Sequence, residues 1–193
     1  MPEPLIIVFL KAPRPGFVKT RLAKTLGPKA ACRAYTRMTA AVLDRLSNFS
    51  NVQLRFTPDD AEAEIAHLLR PGWQSFPQGA GSLGERMDHA FRDANGPALL
   101  IGTDCPDLNA SDIREATAAL STHPVILGPA RDGGYWLIGL QAPCPPLFQG
   151  ISWSTSSVFH DTLRIAQQSG QSVHQLRTLT DIDDEDTWKK WSG

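Results

Sequence analysis

At 193 residues the chain has room for one domain, residues 1–193, with a sizeable core. A net charge of −1 gives no electrostatic footprint for nucleic acid, and the longest apolar run near the N-terminus, residues 5–10, is too short for a membrane span or a signal segment. Cys32, Cys105 and Cys144 are odd in number and widely spaced, so they form neither a disulfide framework nor a zinc pattern and point to a reducing cytoplasm.

Strand and helix patterns alternate along the chain. Residues 5–10 are an apolar strand that runs into Lys11-Ala12-Pro13-Arg14-Pro15-Gly16, and a second basic cluster, Lys19-Thr20-Arg21, opens a helical pattern. Tyr35, Met38, Val42 and Leu46 recur at spacings of three and four, as on one face of a helix. Residues 52–56 alternate like a half-buried strand, 61–69 read as a helix stopped by Pro71-Gly72, and 73–76 are a weak strand. A helix is expected over 83–91. The continuous apolar run 98–102 reads as a central strand buried on both faces. Asn109 followed by Asp112 looks like an N-cap for a helix to Leu120. Residues 125–127 and 135–138 are two further strands. Residues 142–146 are a Pro-rich loop, 158–166 a helix capped by Ser156 or Ser157, 173–179 extended, and 185–191 a closing helix. This order implies an α/β fold of three layers, α/β/α, around a mostly parallel sheet, with some mixed pairing near residues 128–134.

Lys11, Arg14, Lys19 and Arg21 crowd the loop after the first strand, which is where open α/β sheets bind ligands. Cations beside the start of a helix suit phosphate, and Pro13, Pro15 and Gly16 stiffen the loop. A nucleotide or phosphorylated substrate follows, although a solvated basic loop has the same composition. No Walker A sequence occurs. Gly79-Ala80-Gly81-Ser82-Leu83-Gly84 matches a dinucleotide fingerprint on paper, but the strand before it is polar and closes with Pro77, so a loop before a helix is the better reading. Gln78 and the backbone of that loop could instead read a nucleobase edge.

Asp104 is delivered to the sheet's carboxyl edge by strand 98–102 in Thr103-Asp104-Cys105-Pro106-Asp107, a position that suits Mg²⁺ or Mn²⁺ on pyrophosphate oxygens. Asp104 or Asp107 capping the next helix is the alternative. Arg131-Asp132-Gly133-Gly134 fits either a ligand approached closely by backbone or a tight turn. In Asp181-Ile182-Asp183-Asp184-Glu185-Asp186 the sixth position is not Gly, so it is no EF-hand loop. Acids also favour a helix start, and Asp183 completing a metal site is the functional alternative. Trp153 either stacks on a ring or is simply part-buried. The histidines show no metal spacing, and no Gly-x-Ser-x-Gly elbow supports an acyl-transfer triad.

Six blocks together resemble a known bacterial family. They are Phe9 through Leu22, Leu83-Gly84-Glu85-Arg86-Met87, Ile101 through Leu108, Leu127 through Tyr135, and the pair Trp153-Ser154-Thr155 and Asp181-Ile182-Asp183. The family is DUF2064, related to GT-A glycosyltransferases, and the resemblance implies the nucleotide-diphospho-sugar transferase fold. It further implies that Lys11, Arg14, Lys19 and Arg21 hold phosphates and that residues 78–84, Gln78 and Gly84 among them, lie near the base. Asp104 becomes the first metal ligand and Asp183 the second, while Asp132, Gly133 and Gly134, with Trp153 and Thr155, face the sugar or acceptor. Ser82 stands where relatives commonly have Asp, and Cys105 where Ser is common. The metal motif is Asp-Cys-Pro-Asp rather than Asp-x-Asp, which leaves the reaction type open.

The expectation is therefore a cytoplasmic transferase dependent on Mg²⁺ or Mn²⁺, with Asp104, Lys19 and Asp132 at the chemistry. Its partners are a nucleotide sugar or nucleoside triphosphate and a small-molecule acceptor, with no nucleic acid and no membrane. Glycosyl transfer comes first, nucleotidyl transfer with release of pyrophosphate second, and a non-catalytic nucleotide-binding module third.

Overall fold

The computed structural model describes residues 3–193. Seven strands form one sheet: β1 (Leu5–Lys11), β2 (Val52–Thr57), β3 (Gln74–Pro77), β4 (Ala98–Ile101), β5 (Val125–Pro129), β6 (Tyr135–Leu140) and β7 (Val173–Gln175). Their order is β3-β2-β1-β4-β6-β5-β7. β6 runs antiparallel to β4 and β5, and the remaining neighbour pairs are parallel. The mixed pairing expected near 128–134 is this β5–β6 turn.

Helices cover both faces: α1 (Thr20–Leu26), α2 (Pro28–Arg45), α3 (Glu62–Ile65), α4 (Leu83–Ala94), α5 (Ala110–Ala119), α6 (Val158–Gln168) and α7 (Glu185–Ser192). The central strand shows why a continuous apolar run was needed. Leu99 and Ile101 of β4 join one cluster with Val42 and Leu43 of α2 and Ile113 and Ala116 of α5. Ala98 and Leu100 face the other way, into a cluster with Met87 and Phe91 of α4 and Phe159 of α6. A strand that alternates between two cores has no polar face to offer. The architecture is the three-layer α/β/α sandwich with a mostly parallel, mixed sheet.

Local signals set the element ends. Ser82 caps α4 reciprocally: its Oγ accepts from the Glu85 amide at 3.3 Å, and the Glu85 carboxylate accepts from the Ser82 amide at 2.7 Å. The Asn109 amide donates to Asp112 Oδ2 at 2.8 Å, so the expected start of α5 is present. Two expectations need correction. The helix read over 61–69 is a single α turn, α3, followed by a 3₁₀ turn at Ala66–Leu68, because only Ala61 and Ile65 of this stretch are fully buried and Leu69 is already extended. Ser157, at the start of α6, sits in a right-handed helical conformation and its side chain makes no capping bond.

The strand order reverses between β1 and β4: β2 and β3 lie on one side of β1, and β4 on the other. The carboxyl ends of these two neighbours, Lys11 and Ile101, open onto the crevice in which such sheets bind ligands. Among the described residues no helix is long and apolar enough to cross a membrane.

Candidate active site

A cavity of about 830 Å³ occupies that crevice, a size ordinary for small-molecule sites. Its floor is the end of β1 and the exit of β4. Tyr35 of α2 ties the two together. The buried Tyr35 hydroxyl accepts from the Lys11 amide at 2.7 Å, donates to the Lys11 carbonyl at 3.1 Å, and lies 3.4 Å from Thr103 Oγ1. Burial, opposed by the hydrogen bond to Thr103, pushes this phenol above its ordinary pKa, so it stays a neutral donor.

Lys19 is the centre of the site. It precedes α1 in the left-handed conformation, φ 47° and ψ 51°, which non-glycine residues adopt sparingly. Its ammonium lies 2.7 Å from Asp104 Oδ1 and 2.7 Å from Asp183 Oδ1, and its side chain is only 4 % exposed. Burial alone would lower the Lys19 pKa, but Asp104 and Asp183 outweigh it and hold the ammonium above the usual lysine range. Arg21 stands at the rim, 3.5 Å from Asp183 Oδ2.

Two residues far apart in sequence meet here through the backbone. The segment after β7 is pinned by Leu176, Leu179 and Ile182, all buried. The Leu176 amide donates to Leu127, Leu179 to Pro129, and Ile182 to the Asp104 carbonyl at 2.9 Å. The last bond sets Asp183 beside Asp104. Asp184, the next residue, turns away: its carboxylate accepts from the Thr187 amide at 2.8 Å and caps α7. The acidic run thus contains both a helix cap and a site carboxylate.

On the other wall the Asp132 carboxylate accepts from the Gly134 amide at 2.8 Å, and the Asp132 amide donates to Asp181 Oδ1 at 3.2 Å. Burial first, and then the Asp132 charge, raises the Asp181 carboxyl above its ordinary pKa. Gly133 has φ +91°, and a Cβ there would stand 2.1 Å from the Ser156 carbonyl oxygen, so only glycine fits. Asp132, Gly134, Trp153 and Thr155 line the cavity; Gly133 does not, and its part is to let the turn lie against Ser156.

Several expected contacts are placed differently. Arg14 does not reach the cavity: its guanidinium pairs outward with Glu64 at 2.5 Å and Asp60 at 3.1 Å, Glu64 foremost raising its pKa. Gly84 is buried and does not line the cavity; a Cβ would lie 2.8 Å from both the Trp153 ring and the Phe148 carbonyl, so this glycine is there for packing. Gln78 lines the cavity, but its amide NH₂ is taken up by the Leu10 carbonyl at 3.1 Å and the Arg55 carbonyl at 2.9 Å. Its oxygen accepts from Arg86 Nη1 at 3.0 Å, so Arg86, rather than Gln78, presents donors to the cavity. Lys11, Lys19, Arg21, Asp104 and Asp183 all line it as expected.

Sequence reasoning passed over Arg86, Tyr35 and Asp181. Arg86 and Asp181 lie inside blocks that carried the family resemblance; Tyr35 looked like one more apolar position on a helix face. Cys105, by contrast, is buried, and burial followed by the Asp104 charge drives its thiol well above the ordinary value, which disfavours the thiolate a nucleophile would need.

The donor set fits a hard divalent cation in kind. Asp104 and Asp183 are hard oxygen ligands, and the Asp104 side chain is 55 % exposed. Among the described residues no group of three or more His, Cys, Asp or Glu side chains is placed to hold a metal ion. Two carboxylates are what Mg²⁺ needs when phosphate oxygens and waters complete its shell.

Residues 41–155 match the model of a family described as an uncharacterized protein conserved in bacteria, DUF2064. A solved structure from Desulfovibrio desulfuricans G20, whose assignment as a nucleotide-diphospho-sugar transferase is itself a proposal, is 33 % identical with a TM-score of 0.86, covering 95 % of this chain and 84 % of that one. The inositol-1-phosphate CTP transferase from T. maritima has a TM-score of 0.61 at 12 % identity, covering 98 % of this chain and 96 % of its own. Rv0371c from Mycobacterium tuberculosis H37Rv, solved as a complex with manganese, has a TM-score of 0.55 at 15 % identity, with 97 % of each chain covered. The last two likenesses are of fold. No curated protein matches the chain.

Proposed function

The chain belongs to the DUF2064 family, and we propose that it is a transferase that moves a glycosyl group from a nucleotide sugar to a small acceptor. The observation that carries this reading is Lys19, a buried ammonium set between Asp104 and Asp183 at the mouth of the sheet's switch point. Lys11, Lys19 and Arg21 supply three cations in the cavity lining, groups whose charge-assisted hydrogen bonds suit the oxygens of a diphosphate.

In this reading Asp104 and Asp183 would hold Mg²⁺ or Mn²⁺, which when bound supplies charge neutralisation on the departing diphosphate. Lys19 and Arg21 orient the same diphosphate and stabilise the negative charge that grows as its bond to the sugar breaks. Arg86, steadied by Gln78, meets the far end of the donor. Asp132, fixed by the Gly134 amide, takes the proton of the acceptor hydroxyl as its oxygen bonds to the sugar carbon, and a nucleoside diphosphate leaves.

Nucleotidyl transfer is the second reading. It is favoured by Lys11 and Arg21, both exposed at the rim and able to meet a longer phosphate chain, and by the fold shared with the CTP transferase from T. maritima. The test is a panel of nucleotide sugars and nucleoside triphosphates with Mg²⁺ or Mn²⁺ and candidate acceptors. A released nucleoside diphosphate supports glycosyl transfer, and released pyrophosphate supports nucleotidyl transfer. Binding that raises the melting temperature without either product points to a non-catalytic module.

A further inference from the structure

The same two oxygens that would hold a divalent cation are already taken. Asp104 Oδ1 and Asp183 Oδ1 each lie 2.7 Å from the Lys19 ammonium, and Asp183 Oδ2 faces Arg21 at 3.5 Å. Of the four carboxylate oxygens in the pair, only Asp104 Oδ2 has no cationic partner among these contacts. A cation about 2.1 Å from the shared oxygens would sit close to the ammonium, and like charges repel strongly at such range. The Lys19 backbone is held in a left-handed conformation, and the neighbouring Val18 and Leu22 are buried, so the loop itself is fixed while the side chain alone can swing.

We propose that Lys19 is an exchangeable internal cation: it closes the carboxylate pair in the free protein, and a phosphate in the cavity draws its ammonium away so that a divalent ion takes its place. This rests on the reading that Asp104 and Asp183 hold the ion. The ammonium can leave without losing a partner only when an anion waits for it, and the cavity it lines is where the donor's phosphates would lie. Metal and phosphate therefore bind as a coupled pair, each tightening the other, because one ammonium cannot satisfy both the carboxylates and the phosphate. Such coupling is reciprocal, about 5–150-fold in affinity. The arrangement keeps the two acids neutralised until the substrate arrives, and it makes Lys19 a positioning residue for the ion as well as a phosphate contact.

The test is Mn²⁺ binding without nucleotide, read from the electron paramagnetic resonance signal of free Mn²⁺. Wild-type chain should bind weakly. Lys19→Gln, which keeps hydrogen bonding without the charge, should bind about ten-fold tighter or more, within the usual range of such coupling. Asp104→Asn in the Lys19→Gln background should remove that binding. Lys19→Met serves as the second uncharged variant, and thermal melts confirm folding of each.

A folded Lys19→Gln or Lys19→Met chain with unchanged or weaker Mn²⁺ affinity overturns the exchange, even if Asp104→Asn still abolishes binding. If Asp104→Asn has no effect on Mn²⁺ in any background, the metal reading falls and takes the exchange with it. The wild-type chain gives an independent measurement by amine acylation and mass spectrometry. Lys19 should be protected in the free chain and modified at saturating Mn²⁺; protection that persists at saturation sinks the proposal.

Discussion

The basic loop between β1 and α1 and the acidic strap between β7 and α7 meet at one ammonium, yet they are held by different means. The loop stiffens itself. Pro13 and Pro15 limit its backbone, Cys32 donates to the Pro13 carbonyl at 3.0 Å, and Val18 is buried beneath it. The strap has no such rigidity of its own. It borrows order from the exits of β4 and β5, through amide bonds from Leu176, Leu179 and Ile182. Each segment then divides its charges. Lys19 and Asp183 turn inward, while Arg14 turns out to Glu64 and Asp184 turns out to cap a helix. Like-charged neighbours in sequence thus do different work, and backbone placement rather than charge density decides which.

The sharpest way to break this contrast is to neutralise both ends of the basic loop. Lys19→Ala should weaken binding of the donor selected by the panel by about 1–3 kcal/mol, the scale of a lost charged hydrogen bond. Arg14→Ala should leave that affinity unchanged, because its guanidinium is occupied on the outer surface. Titration calorimetry decides the matter. Equal losses from both variants would mean that the whole loop, not its inward end, meets the phosphates.

A second test puts the strap against the strand that it leans on. Asp104→Asn and Asp183→Ala should each lower Mn²⁺ affinity in the presence of donor by roughly ten-fold, since each removes one ionic ligand. Asp107→Asn should not, because Asp107 is absent from the cavity lining and offers its carbonyl to Arg177 instead. Damage from Asp107→Asn equal to that from Asp104→Asn would reassign the ligand.

These contrasts show where the sequence was readable. The run 98–102 announced a strand buried on two faces, and it delivered Asp104 to the sheet edge because no polar residue interrupts it. The basic loop was legible as a loop at the sheet's carboxyl edge from its prolines and its place after the first strand, and Lys11, Lys19 and Arg21 of it line the cavity there. What could not be read was direction. Nothing local to Arg14 reveals Glu64, fifty positions away, or says that Gln78 would give its amide to Leu10 and Arg55. Asp183 and Asp184 differ only by one step along an extended segment, and the Ile182 bond to Asp104 that sorts them is a tertiary contact. Gly84 read as a ligand glycine because its crowding against Trp153 is invisible in one dimension.

The strap's first anchor sharpens the comparison further. Arg177 donates to the nearly buried Asp112 carboxylate at 2.7 and 2.8 Å and to the Asp107 carbonyl at 2.9 Å. Burial alone would raise the Asp112 pKa, but Arg177 and the Asn109 amide prevail and hold it below the ordinary value. A carboxyl with a lowered folded pKa stabilises the fold above its unfolded pKa, near 3.8, and loses that contribution as pH falls through the folded value. Arg177→Ala should therefore cost about 1–2 kcal/mol at neutral pH, the half-exposed arginine being partly screened. The deficit relative to wild type should begin to shrink as pH falls below about 4 and close once pH passes the lowered wild-type value, where Asp112 is protonated in both. Urea melts across that range measure it, and a deficit independent of pH would show that the arginine acts through packing alone.

The smallest effect expected is the one that separates the two neighbours in the acidic run. Asp184 has its carboxylate on the Thr187 amide at 2.8 Å and on the Thr187 hydroxyl at 2.7 Å, a reciprocal cap at the first turn of α7. Glu185 and Asp186 follow it in that turn, so the helix start keeps acidic character without it. α7 in turn rests Trp188 and Trp191 against the cluster that contains Val18, Tyr35 and Ile182, which links the cap to both segments at the site. Asp184→Ala should lower the melting temperature by about 2–4 °C, the shift a lost cap gives a chain of this length. Mn²⁺ affinity should stay as in wild type, because Ile182, not the helix, fixes Asp183 through the Asp104 carbonyl. Asp184→Asn should recover most of the lost stability, since asparagine caps as well as aspartate does. If Asp184→Ala instead weakened Mn²⁺ binding as much as Asp183→Ala, the strap would be positioned by the helix behind it rather than by the strand beneath it.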